Sequence, residues 1–163
     1  MRPAANAAYL PECVKHSGRW YGRARVTPEE MLAFVDEHFP QAGFGTGQFA
    51  LEALEEGGLC RVRMPFRPEW VRPGPTVSGP AIMYLGDIAA WISVLKAVGP
   101  EPAAVTSTLN CTFLRAAGQS DLVCETRVLK RGKKLVATSG EVFRAGDDAL
   151  VAHVTTTYAL PSR

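Results

Sequence analysis

The sequence predicts an α+β fold in which a curved antiparallel sheet wraps around one central apolar helix. The stretch from Pro80 to Val98 is almost wholly apolar, so a helix there has to be buried on nearly every side. Runs with a period of two stand before and after this stretch, as in half-buried strands. With 163 residues, the chain is long enough for one domain with a core.

The first element is a helix at about 27–39. Thr27 is placed as its N-cap, Pro28 takes the first helical position, and Glu30 completes a capping box. An apolar face follows, and Pro40 ends the helix. We expect an N-terminal lead at 1–43 that contains this helix, followed by the main domain at 44–163.

Six strands flank the central helix, two before it and four after it. The first two form a hairpin around Glu56-Gly57-Gly58, and Thr, Val and Leu dominate the last four, as strand propensity prefers. A sheet with such short connections has to curl around an all-round apolar helix to bury it, which is the hotdog architecture. The expected strands are Gln48–Glu55, Leu59–Pro65, Ala104–Leu114, Leu122–Lys130, Lys134–Arg144 and Leu150–Leu160. Between the hairpin and the helix, a proline-rich segment is expected to be an ordered loop.

Composition excludes several classes of protein. A formal net charge of +2 is too small to indicate nucleic-acid or membrane binding. Asp87 and Lys96 make membrane insertion of the apolar stretch costly. The four cysteines lie far apart with no histidine at ligand spacing, so we expect no metal site and a reducing compartment. The N-terminus lacks the apolar core of a signal peptide, and we expect a cytoplasmic protein.

Asp87 is the most informative residue, because it stands in the middle of the apolar helix. A buried carboxylate is expensive to desolvate, and no basic residue lies three or four positions away. A purely structural role, as a cap or on a solvated stripe, is the alternative to a functional one.

The segment Val77–Asp87 resembles the hotdog-fold thioesterases of the phenylacetyl-CoA thioesterase branch. Ser78-Gly79-Pro80 falls where that family carries His-Gly-Gly, and Leu85-Gly86-Asp87 falls where it carries Leu-Ala-Asp. The resemblance continues through Thr106–Leu114 and Val128–Leu135 and covers roughly residues 44–160.

The resemblance implies hydrolysis of acyl-CoA thioesters. Asp87 would act as general base on water or as nucleophile on the thioester carbonyl. The N–H of Gly79, at the helix N-terminus, would bind the oxyanion. Thr106 falls where the family carries a Ser or Thr that holds the attacking water. Coenzyme A enters as part of the substrate, and no separate cofactor is expected.

The chain departs from the family at three positions around the helix start. Ser78 replaces the family His, Pro80 replaces the second Gly, and Arg72 aligns loosely with an Asn. Ser78 and Arg72 are candidates to take over the lost contacts. A plain N-cap is the alternative for Ser78, and a solvated loop arginine is the alternative for Arg72.

Further candidates for substrate binding lie on the helix and at one turn. Tyr84 is expected to line an acyl pocket, although an aromatic residue on an apolar helix is more often core. A basic turn at 130–134 includes Arg131, Lys133 and Lys134. In related proteins this turn lies near the CoA phosphates, and a merely solvated turn is the alternative.

The family pairs two sheets edge to edge, so the resemblance implies a homodimer, with further pairing into tetramers left open. A dehydratase or hydratase of the same fold is one rival, but it needs a His near the helix carboxylate. No His lies between Val77 and Gly99, and His16, His38 and His153 are expected to be structural. A non-catalytic acyl-CoA binding or sensing protein is the other rival.

Overall fold

The computed structural model describes residues 26–161, together with the backbone of two short strands, β1 (Val14–His16) and β2 (Arg19–Tyr21). These two strands pair antiparallel in a region to which the sequence assigned no element. The division of the chain at residue 43 stays a prediction.

Helix α1 (Pro28–His38) begins where the capping residues place it. The Glu30 N–H donates to Thr27 Oγ1 at 3.2 Å, and the Thr27 N–H donates to Glu30 Oε2 at 2.9 Å. This reciprocal pair satisfies two backbone donors that the first helical turn leaves free. The predicted capping box is confirmed.

Helix α2 (Gly79–Val98) is the centre of the fold. Twelve of its residues are buried, on every side of the helix. Its length and composition would also suit a membrane span, but 67% of the apolar stretch is buried inside the fold, as in the core helix of a globular domain.

One six-stranded antiparallel sheet packs against α2, which confirms the predicted α+β hotdog fold. The strand order is β3-β4-β8-β9-β10-β7, so β3 and β7 are its edges. Every observed bound lies within two residues of the predicted one. The strands are β3 (Ala50–Leu54), β4 (Cys60–Met64), β7 (Val105–Phe113), β8 (Leu122–Arg131), β9 (Leu135–Arg144) and β10 (Ala149–Ala159).

The segment predicted as an ordered loop contains a small hairpin of its own. Strands β5 (Val71–Arg72) and β6 (Thr76–Val77) pair antiparallel across a Pro73-Gly74-Pro75 turn. The sequence missed these strands because two-residue runs carry no readable periodicity. The hairpin leads directly into the start of α2.

Helix α1 is held against α2 at both ends. The Lys96 ammonium donates to the Val26 carbonyl at 2.8 Å, and the Tyr84 hydroxyl donates to the Gln41 carbonyl at 3.0 Å. Between these points, the Phe39 ring meets the Trp91 ring edge-on, with centroids 5.7 Å apart. Helix α1 therefore runs antiparallel to α2 and forms part of the wall beside it.

Candidate active site

Asp87 projects from the middle of α2 toward the sheet and is half-buried. Its Oδ1 accepts a hydrogen bond from Thr106 Oγ1 at 2.9 Å and another from the Tyr158 hydroxyl at 2.6 Å. Thr106 on β7 and Tyr158 on β10 are direct cross-strand partners. Within residues 26–161, no group bonds the other carboxylate oxygen, Oδ2.

Tyr158 is the main participant that sequence reasoning missed. Its side chain is 2% exposed, and its hydroxyl also reaches the Asp87 carbonyl at 2.9 Å. Burial, followed by the negative charge of Asp87, raises the pKa of the Tyr158 phenol well above its usual range. The phenol is therefore protonated and acts as a donor. The alternation of the last strand already placed residue 158 on the inner face, and a buried Tyr needs a polar partner.

A cleft of about 330 Å³ opens beside this carboxylate. Asp87, Thr106, Tyr158 and His38 contribute its polar groups. The rest of its wall is mostly apolar, which is typical of a ligand pocket with a few placed polar groups. These apolar residues come from α1, α2 and the start of β7: Phe39, Ile88, Trp91, Pro102, Ala104 and Val105.

His38 reaches the cleft from the last turn of α1, which the sequence did not anticipate. Its ring stacks on Phe34, with centroids 4.3 Å apart, and its Nδ1 lies 3.0 Å from the Phe34 carbonyl. If Nδ1–H donates to that carbonyl, Nε2 is the nitrogen left free for a ligand. His38 was expected to be structural only, and its approach to Asp87 depends on the docking of α1 against α2.

Gly79 is the first residue of α2, as the oxyanion role requires, but it is far from Asp87 in the same chain. Eight residues separate the two, which is about 12 Å along a helix. A Cβ at Gly79 would lie 3.1 Å from Cζ of Phe113, so an alanine there would press on that ring. One copy of the chain therefore cannot place the Gly79 N–H and the Asp87 carboxylate on one carbonyl group.

The other predicted residues at the helix start lie near Gly79 and not near Asp87. Ser78 is the N-cap of α2, but its hydroxyl makes no capping hydrogen bond; its N–H donates to the Trp70 carbonyl at 2.8 Å. Arg72 is exposed on β5, and Pro80 is exposed in the first turn of α2. The N-cap interpretation of Ser78 thus describes its position but not its side chain.

Tyr84 lies one turn before Asp87 and is not among the residues that line the cleft. Its hydroxyl is used to hold the Gln41 carbonyl. Burial, and secondarily the charge of Asp87, raises the pKa of Tyr84. In this arrangement Tyr84 fixes the end of α1.

The basic turn lies at the same end of the sheet as the cleft. Arg131 is in register with Val136, Val136 with Tyr158, and Tyr158 with Thr106. Three strand spacings therefore separate Arg131 from Thr106, or about 14 Å. Arg131 donates to the Ala97 carbonyl at 2.9 Å, at the C-terminal end of α2. The two lysines that follow it, at 133 and 134, are exposed.

The remaining reactive groups of the described chain offer no second centre. The thiols of Cys60 and Cys124 are buried, and burial raises the pKa of each, to about 12 for Cys60. Within residues 26–161, no group of three or more His, Cys, Asp or Glu side chains is placed to hold a metal ion.

The fold and the site together define a hotdog-fold protein with a carboxylate held at the edge of its sheet. The family model described as the thioesterase superfamily matches residues 74–151. A crystal structure described as a candidate thioesterase from Silicibacter sp. TM1040 is 32% identical, with a TM-score of 0.75, and the match covers 85% of this chain and 94% of that one. The chain belongs to the thioesterase superfamily.

Two more distant structures share the fold. One is a hypothetical thioesterase from Streptococcus pneumoniae TIGR4, solved with coenzyme A; it is 14% identical with a TM-score of 0.68, and the match covers 78% of this chain and 98% of that one. The other is a mutant of the phenylacetic acid degradation protein PaaI from Thermus thermophilus; it is 18% identical with a TM-score of 0.64, covering 72% and 97%. No curated protein matches the chain.

Proposed function

We propose that this protein hydrolyses acyl-CoA thioesters to a free acid and CoA, with Asp87 as the catalytic carboxylate. The observation that carries the proposal is the pair of hydrogen bonds on Asp87 Oδ1, beside a largely apolar cleft. A held carboxylate with one free oxygen is what a general base or nucleophile requires. Coenzyme A is part of the substrate, and the proposed reaction uses no other cofactor.

Two routes are open to the free oxygen of Asp87. As a base, Oδ2 takes a proton from water while the water oxygen bonds to the thioester carbon. The tetrahedral intermediate then collapses, the C–S bond breaks, and the proton passes to the CoA sulfur. As a nucleophile, Oδ2 bonds to the thioester carbon itself and the CoA thiolate leaves, taking its proton from solvent. Water then hydrolyses the resulting anhydride.

The active unit is proposed to be a homodimer, because one copy separates the oxyanion donor from the carboxylate. Edge strand β7 carries Thr106 and exposes Val105 and Phe113 by half or more, with unpaired backbone groups along one side. Pairing two copies along β7 would cover these side chains. It would also bring Phe113, and the Gly79 beneath it, toward the partner's cleft. Pairing of dimers into tetramers remains open.

The remaining expected residues are proposed as substrate contacts. Ser78, Arg72 and Pro80 surround the helix start, so in a dimer they would approach the thioester from the other copy. Lys133 and Lys134 are proposed to attract the CoA phosphates from the end of the sheet, while Arg131 also holds the end of α2. The buried thiols suit a reducing compartment, and we propose a cytoplasmic enzyme.

A hotdog hydratase or dehydratase is kept as a second candidate because of one observation. His38 lines the same cleft as Asp87, which supplies the His and carboxylate that such chemistry uses. Water would then add across, or leave, a carbon–carbon double bond of the acyl group with the thioester intact.

The test is a panel of short, medium, long and aromatic acyl-CoAs, including 2-enoyl and 3-hydroxyacyl forms. Release of the CoA thiol and change of the acyl group are followed separately. Hydrolysis predicts thiol release that falls by ~10²-fold or more in Asp87→Asn, with an equal or higher melting temperature. A melting temperature that drops while activity per folded molecule is kept would make Asp87 structural.

Two other outcomes identify the rivals. Hydration of the enoyl group without thiol release, lost in His38→Gln, would identify the hydratase. Tight binding of an acyl-CoA by the wild type without any turnover would identify a sensor.

The shared site is tested by subunit complementation. Asp87→Asn lacks the carboxylate, and Gly79→Pro lacks the backbone donor, so each alone should be inactive. Mixed dimers place the intact Gly79 of one copy opposite the intact Asp87 of the other. An equal mixture refolded together should regain about a quarter of wild-type activity, because half the dimers are mixed and each has one complete site. No recovery, or a monomeric mass in light scattering, would contradict the shared site.

A further inference from the structure

We propose that Tyr158 is a positioning residue for Asp87, and that it selects Oδ2 as the reacting oxygen. The inference rests on the proposed hydrolysis and adds a residue to it. Tyr158 donates at 2.6 Å to the same oxygen that Thr106 contacts at 2.9 Å. Two donors on Oδ1 leave Oδ2 as the oxygen without a partner among residues 26–161.

The two donors restrict the carboxylate in a way that the helix alone does not. Rotation of an Asp carboxyl group about its last bond has broad preferences and interchanges its two oxygens. Thr106 and Tyr158 come from adjacent strands in direct register, so their hydroxyl groups are held by a rigid part of the sheet. Together they fix which oxygen is used and how the carboxyl plane is oriented.

The Tyr158 hydroxyl has one proton and two acceptors within reach. These are Asp87 Oδ1 at 2.6 Å and the Asp87 carbonyl at 2.9 Å. A charged oxygen attracts the proton more strongly than a neutral carbonyl, so Oδ1 is favoured while Asp87 is ionised. When Oδ2 takes a proton during turnover, that preference weakens, and the hydroxyl can donate to the carbonyl without moving its ring. The contact thus stabilises the carboxylate before the chemical step and costs little after it.

The test compares Tyr158→Phe, which removes one oxygen and keeps the ring, with the wild type. Loss of a hydrogen bond to a charged group predicts a fall in kcat of about 10- to 100-fold with little change in KM. In the Asp87→Asn background, Tyr158→Phe should cause no further fall, because the group that it positions is already lost. With Thr106→Val, the two losses should not simply multiply, since both act on Oδ1.

A matched control removes a buried hydroxyl from the same strand without contact to Asp87. Thr156→Val loses the bond between Thr156 Oγ1 and Thr138 Oγ1, which is 2.6 Å long. This variant should lower the melting temperature and leave kcat within about twofold of the wild type. A fall in kcat as large as that of Tyr158→Phe would mean that loss of any buried hydroxyl on β10 has this effect, and would overturn the inference.

A second variant keeps the inference testable if Tyr158→Phe fails to fold. Site-specific replacement of Tyr158 by 4-aminophenylalanine retains a donor at the same place, and should keep kcat within about tenfold of the wild type. A loss of ~100-fold or more in this variant would overturn the inference.

Two results separate failure of this inference from failure of the proposed function. If Tyr158→Phe keeps full kcat while Asp87→Asn is inactive, Tyr158 does not position the carboxylate and the hydrolysis proposal stands. If Asp87→Asn keeps full kcat, both proposals fall.

Discussion

Gly86, the residue before Asp87, gives a prediction that runs against simple helix propensity. The resemblance places Ala at this position in related thioesterases, and Ala is favoured over Gly inside a helix by ~1 kcal/mol. In this chain, however, a Cβ at Gly86 would lie 2.9 Å from Cγ2 and 3.1 Å from Cγ1 of Val154. Val154 is 1% exposed and β-branched, so its side chain has little freedom to turn away.

The expected effect of Gly86→Ala is a lower free energy of unfolding. Overpacking a core by one carbon costs typically ~1–3 kcal/mol, which exceeds the helix gain of ~1 kcal/mol. The net change should therefore be a loss of up to about 2 kcal/mol. Val154→Ala alone removes two methyl groups from the core and should cost ~1.6 kcal/mol or more.

The double variant tests the cause. With Val154→Ala in place, the new methyl group at residue 86 enters the space that the valine vacates. The double variant should therefore be more stable than the sum of the single changes by ~1–3 kcal/mol. Urea unfolding of all four proteins measures this coupling, provided that the slope with urea is unchanged. A stabilised Gly86→Ala protein, or additive effects, would refute the steric argument.

Two further predictions concern charged turns. Replacing both Lys133 and Lys134 by Gln should raise KM for an acyl-CoA and leave KM unchanged for a thioester without the nucleotide; equal effects on both substrates would indicate a merely solvated turn. At the β9–β10 turn, a hydrogen bond from Arg144 holds the pKa of Asp147 at about 2, below its ordinary 3.8. This interaction stabilises the fold above the unfolded pKa and is lost as pH falls toward 2. Asp147→Asn should therefore lower the melting temperature at neutral pH and lower it less at a pH near that of the folded carboxyl, by scanning calorimetry; an equal difference at both pH values would show that the charge is not responsible.

The parts of the fold that the sequence predicted are those with local causes. The start of α1 follows from contacts between residues 27 and 30, and the burial of α2 follows from its own composition. Strand alternation placed each strand to within two residues. None of these inferences required knowledge of which strands are neighbours.

The candidate site was predicted where it depended on one segment and missed where it depended on packing. Asp87 stood out within its helix. Tyr158 lies 71 residues further along, and its hydroxyl reaches Asp87 only because β10 pairs with β7 in one particular register. The approach of His38 depends on how α1 docks on α2, through contacts such as Lys96 to Val26. Pairing over such separations leaves no pattern in a single sequence.

The separation of Gly79 from Asp87 is the exception, because helix geometry alone fixes it. Residues eight apart differ by more than two turns and about 12 Å, so no arrangement of an intact helix brings them to one carbonyl group. Any mechanism that uses both groups therefore needs two copies of the helix.

The manner in which the polar groups of the cleft are held favours hydrolysis over hydration. Asp87 is fixed by two donors from adjacent strands, one of them 2% exposed, and so keeps one orientation relative to the sheet. His38 is exposed, lies in the last turn of α1, and is held by its own helix carbonyl and a stacked Phe34. A hydratase needs both groups placed with equal accuracy on neighbouring carbons. Hydrolysis needs only the carboxylate fixed in the cleft, with the oxyanion donor supplied by a second helix, and that is the part of this site that is held most firmly.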